Sequence, residues 1–573
     1  MTHYFRSLPS RRKKFFPSLL LISLLFLLSQ FSASNAGTGV RKAVTPQKQS
    51  PLLSPLGYAK GTAPIALAAK SGRTLIPGVV VVRMQKDSRL GKAAFPLQSP
   101  GLAAVAAQYN ISAMRPLFPN IPDSRPARFH GLKEMYTLHF SEHIDPIEVA
   151  MALDGVPEVL YAEPKYAYPL LAVPDDSLYS QMQQFQAISA ELAWDIARGE
   201  NGDVVIAIVD GGTDWQHEDL NANIWNNADE VPDNGVDDDN NGYVDDVRGW
   251  NFARRNNDPS GLSGQPVNGG HGTHTAGTAG AVTNNKLGVA SISWNATIMP
   301  INASAGQQDR AIQYGFEGIV YAAENGADII NCSWGSPGIP SSFEQDIIDF
   351  AYAKGSLIVA AAGNDNANND LTGFFPASYN HVLSVGSTNN ADRKSSFSNY
   401  GISIDVFAPG SSILSTYWSP SDSSRKYAFN SGTSMASPLV AGLAALVKTK
   451  NPDMTVDQLR EQIRTTSDPI DALNSRYADS LGAGRVNALK ALTESGPSVR
   501  IVGTRFIDGG ANGIINAGEN IEVTVLFTNY LSPVSDVSVE LRAFDGVADI
   551  SVKQATISQI NSGDTTAATF SFL

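Results

Sequence analysis

The chain has 573 residues, with 42 Lys and Arg against 55 Asp and Glu, for a net charge of −13. That length exceeds a single core and predicts about two to four domains, and 43% apolar with 17% charged residues excludes a disordered chain. The acidic balance argues against a nucleic-acid partner, and the single cysteine, Cys332, excludes an intramolecular disulfide.

The chain opens with Arg6, Arg11, Arg12, Lys13 and Lys14, then an apolar run over 15–28 and the small residues around Ala36. Basic, apolar and small in that order predicts a secretory signal peptide over 1–36, and so a secreted or cell-surface product. The run is short for a span of about 20 residues. No later stretch could cross a bilayer, so no membrane span is expected once the signal is removed. Residues 37–73 are rich in Pro, Ala, Gly, Ser and Lys and read as a linker.

Residues 74–170 predict a small α+β unit. Strands are expected over 79–84, 135–140 and 159–166, and a helix over 101–109. Asp145-Pro146-Ile147-Glu148 opens a second helix, with a cap, a proline in the first turn and a glutamate three residues on. The order predicts a split β-α-β layout.

From about 175 to 493, buried strands alternate with helices, and the strands fall at 204–209, 297–301, 328–332, 357–361, 382–385 and 404–407. This pattern predicts an α/β domain with a doubly wound, mostly parallel sheet. The first strand, Val204-Val205-Ile206-Ala207-Ile208-Val209, ends in Asp210, where open α/β sheets carry their sites. His271 and His274 lie in a run of small residues that lets a helix pack closely, and either suits a general base. Cys332 ends a strand and reads as a core thiol. The strand at 357–361 runs into Asn364. Ser434 precedes the apolar run 439–447, with Pro438 expected in the first turn of its helix. A serine at a helix N-terminus faces free N–H groups and a dipole that favour a nascent oxyanion.

The segment 233–246 crowds carboxylates into one loop. With Asp237 at position 1, oxygen ligands fall at 3 (Asp239), 5 (Asn241) and 9 (Asp245). Gly242 stands at the sharp turn and Tyr243 offers its carbonyl at 7. Position 12 is Arg248 in place of glutamate, so Asp246 or another segment must complete the shell. Oxygen-only ligands predict Ca²⁺ as a structural cofactor.

Residues 499–573 change to an all-β texture, with strand-like runs at 498–505, 520–527, 536–544, 550–554 and 567–573. They read as a β-sandwich with too few strands to be complete, so the sequence is expected to be a fragment. The segment 508–519 resembles the Asp/Asn/Gly loop of domains appended to secreted bacterial proteins.

Three motifs then carry a family resemblance. Ile208-Val209-Asp210-Gly211-Gly212, His271-Gly272-Thr273-His274 and Gly432-Thr433-Ser434-Met435-Ala436-Ser437-Pro438 are similar in content and order to those of the subtilases, the subtilisin-like serine peptidases, over roughly residues 175–493. The resemblance implies that Asp210 orients, His271 is the base and Ser434 the nucleophile, with Asn364 helping the Ser434 N–H to hold an oxyanion. Gly211 departs from the Ser or Thr usual after the acid, whose hydroxyl supports the carboxylate. The resemblance also implies that 74–170 is an inhibitory propeptide, a partner of the enzyme whose last strand lies in the substrate cleft, with processing between about Tyr166 and Asp176. Ser333-Trp334-Gly335 would pair with a polypeptide substrate, with Trp334 walling a subsite. Asp219 with Asn285 resembles a second calcium site of the family. The expected function is thus a secreted, self-processing serine endopeptidase acting through an acyl-enzyme. An α/β-hydrolase esterase needs an acid and a histidine after the serine, and the last histidine is His381. A catalytically dead adhesion protein is the other rival, and the intact motifs argue against it.

Overall fold

The computed structural model describes residues 75–85, 99–120, 131–167, 173–199, 203–260, 269–304, 311–419, 424–510, 518–541 and 550–573. The expected signal peptide and linker lie outside them.

The N-terminal unit has the expected split β-α-β order, including the one strand to which the sequence reading gave no bounds. Strand β1 (Leu75–Met84) is followed by α1 (Pro100–Gln108), β2 (Ala113–Pro116), β3 (Met135–His139), α2 (Pro146–Asp154) and β4 (Val159–Tyr166). The sheet order is β2-β3-β1-β4, all antiparallel. Both helices are capped as their sequences dictate: Ser99 accepts from the Leu102 N–H and Asp145 from the Ile147 N–H, each with proline in the first turn.

The central unit is built on seven strands: β5 (Val205–Asp210), β6 (Trp250–Asn251), β7 (Thr297–Asn302), β8 (Ile329–Cys332), β10 (Leu357–Ala361), β12 (Val382–Thr388) and β13 (Val406–Pro409). They lie in the order β13-β12-β10-β8-β5-β7-β6, and every pairing is parallel. Two small antiparallel pairs flank this sheet: β9 (Ser336–Pro337) with β11 (Phe374–Phe375), and the hairpin β14 (Ile413–Ser419) with β15 (Ser424–Asn430). Strand order reverses at β5, so the crevice beyond its C-terminal end is the expected place for a site.

Alternation along the strands divides the core. Ile206, Ile208, Ile298, Ile329 and Val359 pack with helices α3 (Gly269–Gly280), α6 (Thr433–Lys450) and α7 (Val456–Thr465) on one face. Ala207, Val209, Met299, Ile330 and Cys332 pack with α4 (Gly315–Glu324) and α5 (Ser342–Lys354) on the other. Cys332 is buried there as a core thiol, as expected. One expectation fails: α6 begins at Thr433, so Pro438 lies inside the helix and not in its first turn. Proline removes the donor that would reach the Ser434 carbonyl four residues back. The Ser333 hydroxyl donates to that carbonyl instead, at 2.9 Å.

The C-terminal unit pairs β16 (Val499–Asp508), β17 (Ile521–Asn529), β21 (Thr565–Phe572) and β19 (Ile550–Val552) in one sheet. Strands β18 (Val534–Glu540) and β20 (Gln554–Ile560) form a second sheet over a shared apolar core. The single expected run at 550–554 is in fact the meeting of β19 and β20. This unit is tied to α7: Ser498 Oγ donates to Glu461 Oε2 at 2.5 Å, and the Arg500 guanidinium lies 3.8 Å from both Asp405 and Glu461. Burial alone would raise the Asp405 pKa, but Arg460 and Arg500 outweigh it and hold the carboxyl below its ordinary range. Among the described residues, no helix is long and apolar enough to cross a membrane.

Helices α3 and α6 touch through glycine. A Cβ on Gly442 would lie 2.4 Å from Ile292 Cγ2 and 2.7 Å from the Ala279 carbonyl oxygen. Gly→Ala inside a helix ordinarily stabilises by about 1 kcal/mol. Here the sign should reverse, because overpacking costs about 1–3 kcal/mol. Thermal unfolding of Gly442→Ala should give a melting temperature several degrees lower, and an unchanged or higher value would refute the close approach.

Candidate active site

Five apolar or small residues carry β5 through the core and deliver Asp210 at its C-terminal end, 2% exposed. Helix α3 can lie against that end because Gly272 has no side chain: a Cβ there would sit 2.3 Å from the Gly212 carbonyl oxygen and 3.2 Å from Asp210 Cβ. The neighbouring His271 is thereby brought to Asp210, with Nδ1 at 2.8 and 3.0 Å from the two carboxylate oxygens. The Gly211 N–H donates to Asp210 Oδ1 at 2.6 Å, and the Thr275 hydroxyl to Oδ2 at 3.3 Å. The same hydroxyl lies 3.0 Å from the Gly272 carbonyl, so Thr275 shares its one proton between that carbonyl and the carboxylate that Gly211 leaves without a hydroxyl. Burial alone would lower the His271 pKa; the charge of Asp210 and its hydrogen bond prevail and raise it above 6.5.

His274 points the other way. It is fully buried, and its Nε2 donates to the carbonyls of Ile413 and Ala428 at 3.0 and 3.1 Å. Burial, with the nearby His271, pushes its pKa down to about 4. It therefore stays neutral and ties α3 to the β14–β15 hairpin.

Ser434 is the second residue of α6, after Gly432, whose N–H donates to the Gly410 carbonyl at the end of β13. Its hydroxyl donates to the Ser333 carbonyl at 3.0 Å. Two residues bolt this turn to the sheet: Ser437 Oγ donates to Asn331 Oδ1 at 2.8 Å, and Asn331 Nδ2 donates to Ser333 Oγ at 2.9 Å. The Asn364 oxygen is occupied by the N–H and hydroxyl of Thr433, at 2.9 and 3.1 Å. That leaves its amide nitrogen toward Ser434: a Cβ on Gly432 would lie 3.7 Å from Asn364 Nδ2 and 3.5 Å from the Ser434 nitrogen. Two N–H donors thus border one small space.

Asp210, His271, Asn364 and Ser434 all line one cleft of about 960 Å³. Trp334 forms part of its wall, with its indole N–H on the Val209 carbonyl at 2.8 Å and its ring edge-on to Phe316. Among the described residues, none of the N-terminal unit lines the cleft, so the expected placement of β4 there is not seen.

The acidic loop is held by its own amides. Asp237 accepts from the N–H groups of Asn241 and Gly242, and Asp239 from the Asn241 N–H, at 2.9–3.0 Å. Asp237 and Asp239 meet Glu230, all three offering oxygens within 4.8 Å of one another. Glu230 is 5% exposed, and its Oε2 has no hydrogen-bond partner among the described residues. A buried carboxylate oxygen without a donor fits a cation between these groups. The other expected ligands are engaged elsewhere. Asp245 turns away to accept from the N–H groups of Asn234 and Gly235, and the Asn241 side-chain oxygen accepts from the Tyr243 N–H. Asp246 is a buried post between Asn227 and Tyr321. Arg248, at position 12, lies over the Trp215 ring, and the carboxylate that stands beside Asp237 and Asp239 is Glu230, from before the loop.

Asp219 is fully buried, accepts from Asn285 Nδ2 and the Val289 N–H at 2.7 Å, and is pushed up to about 7 by burial. Asp176, not foreseen in the sequence, joins this corner. It accepts from the Asn284 N–H, and its Oδ1 is buried without a partner among the described residues.

A parallel sheet ending in an aspartate, a histidine helix beside it and a serine at the head of a second helix define the class of subtilisin-like serine peptidases. The chain belongs to the subtilase family, whose profile matches residues 201–491. It is similar to the thermophilic serine proteinase of Bacillus sp. (strain AK1), 36% identical over 346 residues, 60% of this chain and 75% of that protein. It is also similar to thermitase of Thermoactinomyces vulgaris, 39% identical over 321 residues, 56% of this chain and 99% of that protein. The extracellular protease of Xanthomonas campestris pv. campestris is 37% identical over 340 residues, 56% of this chain and 57% of that protein.

The two histidines can be told apart in solution. By NMR, the His271 ring should titrate above 6.5 and His274 near 4. Asp210→Asn should lower the His271 midpoint, because it removes the charge that favours the imidazolium. A His271 midpoint unmoved by that change would contradict the pairing.

Proposed function

We propose that this subtilase is a secreted serine endopeptidase that works through Asp210, His271 and Ser434 and is made as a self-processing zymogen. The observation that carries the reading is the His271–Asp210 pair at 2.8 Å in the same cleft as Ser434. At rest the Ser434 proton points at the Ser333 carbonyl; a χ1 rotation turns Oγ toward His271 Nε2 as substrate enters. His271 takes the proton while Oγ adds to the peptide carbonyl, and Asp210 stabilises the imidazolium. The oxyanion is held by the Ser434 N–H and Asn364 Nδ2, whose amide cannot turn because Thr433 fixes its oxygen. His271 then gives the proton to the leaving amine, and water hydrolyses the acyl-enzyme. Since His271 must be neutral to act, activity falls as pH drops through its raised pKa.

The leader at 1–36 and the name of the Xanthomonas relative support export. The unit at 74–170 acts as the propeptide that aids folding and blocks the cleft until it is cut away. Ser434→Ala, expressed without other proteases, should hydrolyse no peptide and keep the N-terminal unit attached; a processed mutant would sink self-maturation.

Calcium is the cation that suits the two acidic corners. Glu230, Asp237 and Asp239 would hold one ion; Asp176, Asp219 and Asn285 would hold another. Each ion supplies charge neutralisation that lets its loop close. A cation bound only by the folded state adds about 2.7 kcal/mol at a hundredfold excess over Kd. Chelator should lower the melting temperature by several degrees, with Ca²⁺ restoring it better than Mg²⁺. Glu230→Gln with Asp239→Asn should abolish part of that shift; a full shift in the double variant would remove the loop from the reading.

A further inference from the structure

Given the proposed peptidase reading, Asn364 must be placed accurately. An oxyanion donor works only at hydrogen-bond distance from the point where charge develops, and a misplacement of about 1 Å can cost about 100-fold. Yet Asn364 stands where the chain leaves the core: residues 357–363 are buried and 364–367 are exposed. Exposed connecting segments are ordinarily the mobile part of a fold. Thr433 fixes the side-chain oxygen of Asn364 and leaves its backbone to other anchors.

Those anchors come from one side chain. Asn399, between β12 and β13, is 1% exposed. Its Oδ1 accepts from the N–H groups of Asp365 and Ala367 at 2.9 and 3.0 Å. Its Nδ2 donates to the Ala362 carbonyl and to Asn369 Oδ1, both at 3.0 Å. Its own N–H donates to the Gly363 carbonyl at 3.0 Å. One buried residue thus grips the backbone before and after Asn364, and its amide uses its full capacity of two donors and two lone pairs. The grip is close because Gly363 has no side chain: a Cβ there would lie 2.4 Å from Asn399 Nδ2. The neighbours of Asn399 extend the contact. The Asn366 N–H donates to the Phe397 carbonyl at 2.7 Å, and the Tyr400 N–H to the Ala367 carbonyl at 2.9 Å.

We infer that Asn399 is a positioning residue for the peptidase reaction: its buried carboxamide holds the backbone on both sides of Asn364 and so sets where the Asn364 amide nitrogen meets the oxyanion. Asn399 does not line the cleft. It acts through Asn364, so its loss costs no more than loss of the Asn364 donor, about 10²–10³ in turnover.

The test is a double-mutant cycle on peptide hydrolysis by the mature enzyme, with Asn364→Ala, Asn399→Ala and the pair, each normalised by active-site titration. Asn399→Ala should lower kcat at least about 10-fold and leave KM within about threefold, and a smaller loss of kcat overturns the inference. In the Asn364→Ala background the same change should cost less than about threefold, because the donor that it places is gone. A larger cost there overturns the inference and leaves the oxyanion role of Asn364 standing, since the residue then serves the fold at large. Asn364→Ala with wild-type turnover overturns the oxyanion role, and the inference with it. A wild type inert toward every peptide overturns the peptidase reading and both roles. Should Asn399→Ala fail to fold, hydrogen exchange of the full Ser434→Ala chain decides. The Asp365 and Ala367 amides should be protected although both residues are exposed, and exchange at the rate of a free amide overturns the inference.

Discussion

The whole site depends on how near α3 comes to the end of β5. At Gly272 the helix backbone meets the Gly212 carbonyl with no space for a methyl group. The same helix gives up side chains at Gly277, against Thr416 and Ser415, and at Gly280, against Ile298. This stripe of missing side chains wedges α3 between the sheet, the β14–β15 hairpin and α6. A hydrogen bond weakens steeply as it lengthens or bends. The two contacts of His271 with Asp210 therefore survive only while the helix stays in that seat. His274, buried three residues on, keeps it there by binding two hairpin carbonyls.

Local deficits around this seat are filled from a distance. Pro438 leaves the Ser434 carbonyl without its helical donor, and Ser333 provides one from the end of β8. Gly211 offers Asp210 no hydroxyl, and Thr275 does so from α3. The acidic loop lacks a carboxylate at its last position, and Glu230 brings one from upstream. In the first two cases the group supplying the missing contact also joins segments far apart in the chain, so correcting a fault also cross-links the fold.

This pattern explains what could be read in advance. The strands of the central sheet were legible because runs such as Val205-Ile206-Ala207-Ile208-Val209 are apolar on both faces. Asp210, Asn364 and Ser434 each stand in a distinctive local motif, and the fold brings them with His271 to one cleft. Thr275, Glu230 and Asp176 were not legible, since nothing near them in sequence sets them apart until the fold brings a partner. The choice between His271 and His274 needed either a resemblance or a structure, because both occupy the same run of small residues. Spacing placed Asp245 among the expected ligands, and in the fold its two oxygens accept from the N–H groups of Asn234 and Gly235.

The C-terminal unit has a geometric bearing on access. It meets the central unit at Asp405 and Glu461, and Asp405 immediately precedes β13. The other end of that short strand leads to Gly410, which holds Gly432 beside the serine. The attachment and the cleft thus lie at opposite ends of the same strands, like the handle and the edge of a tool. The ion pairs that hold the C-terminal unit are therefore made a strand's length away from the turn that carries the serine.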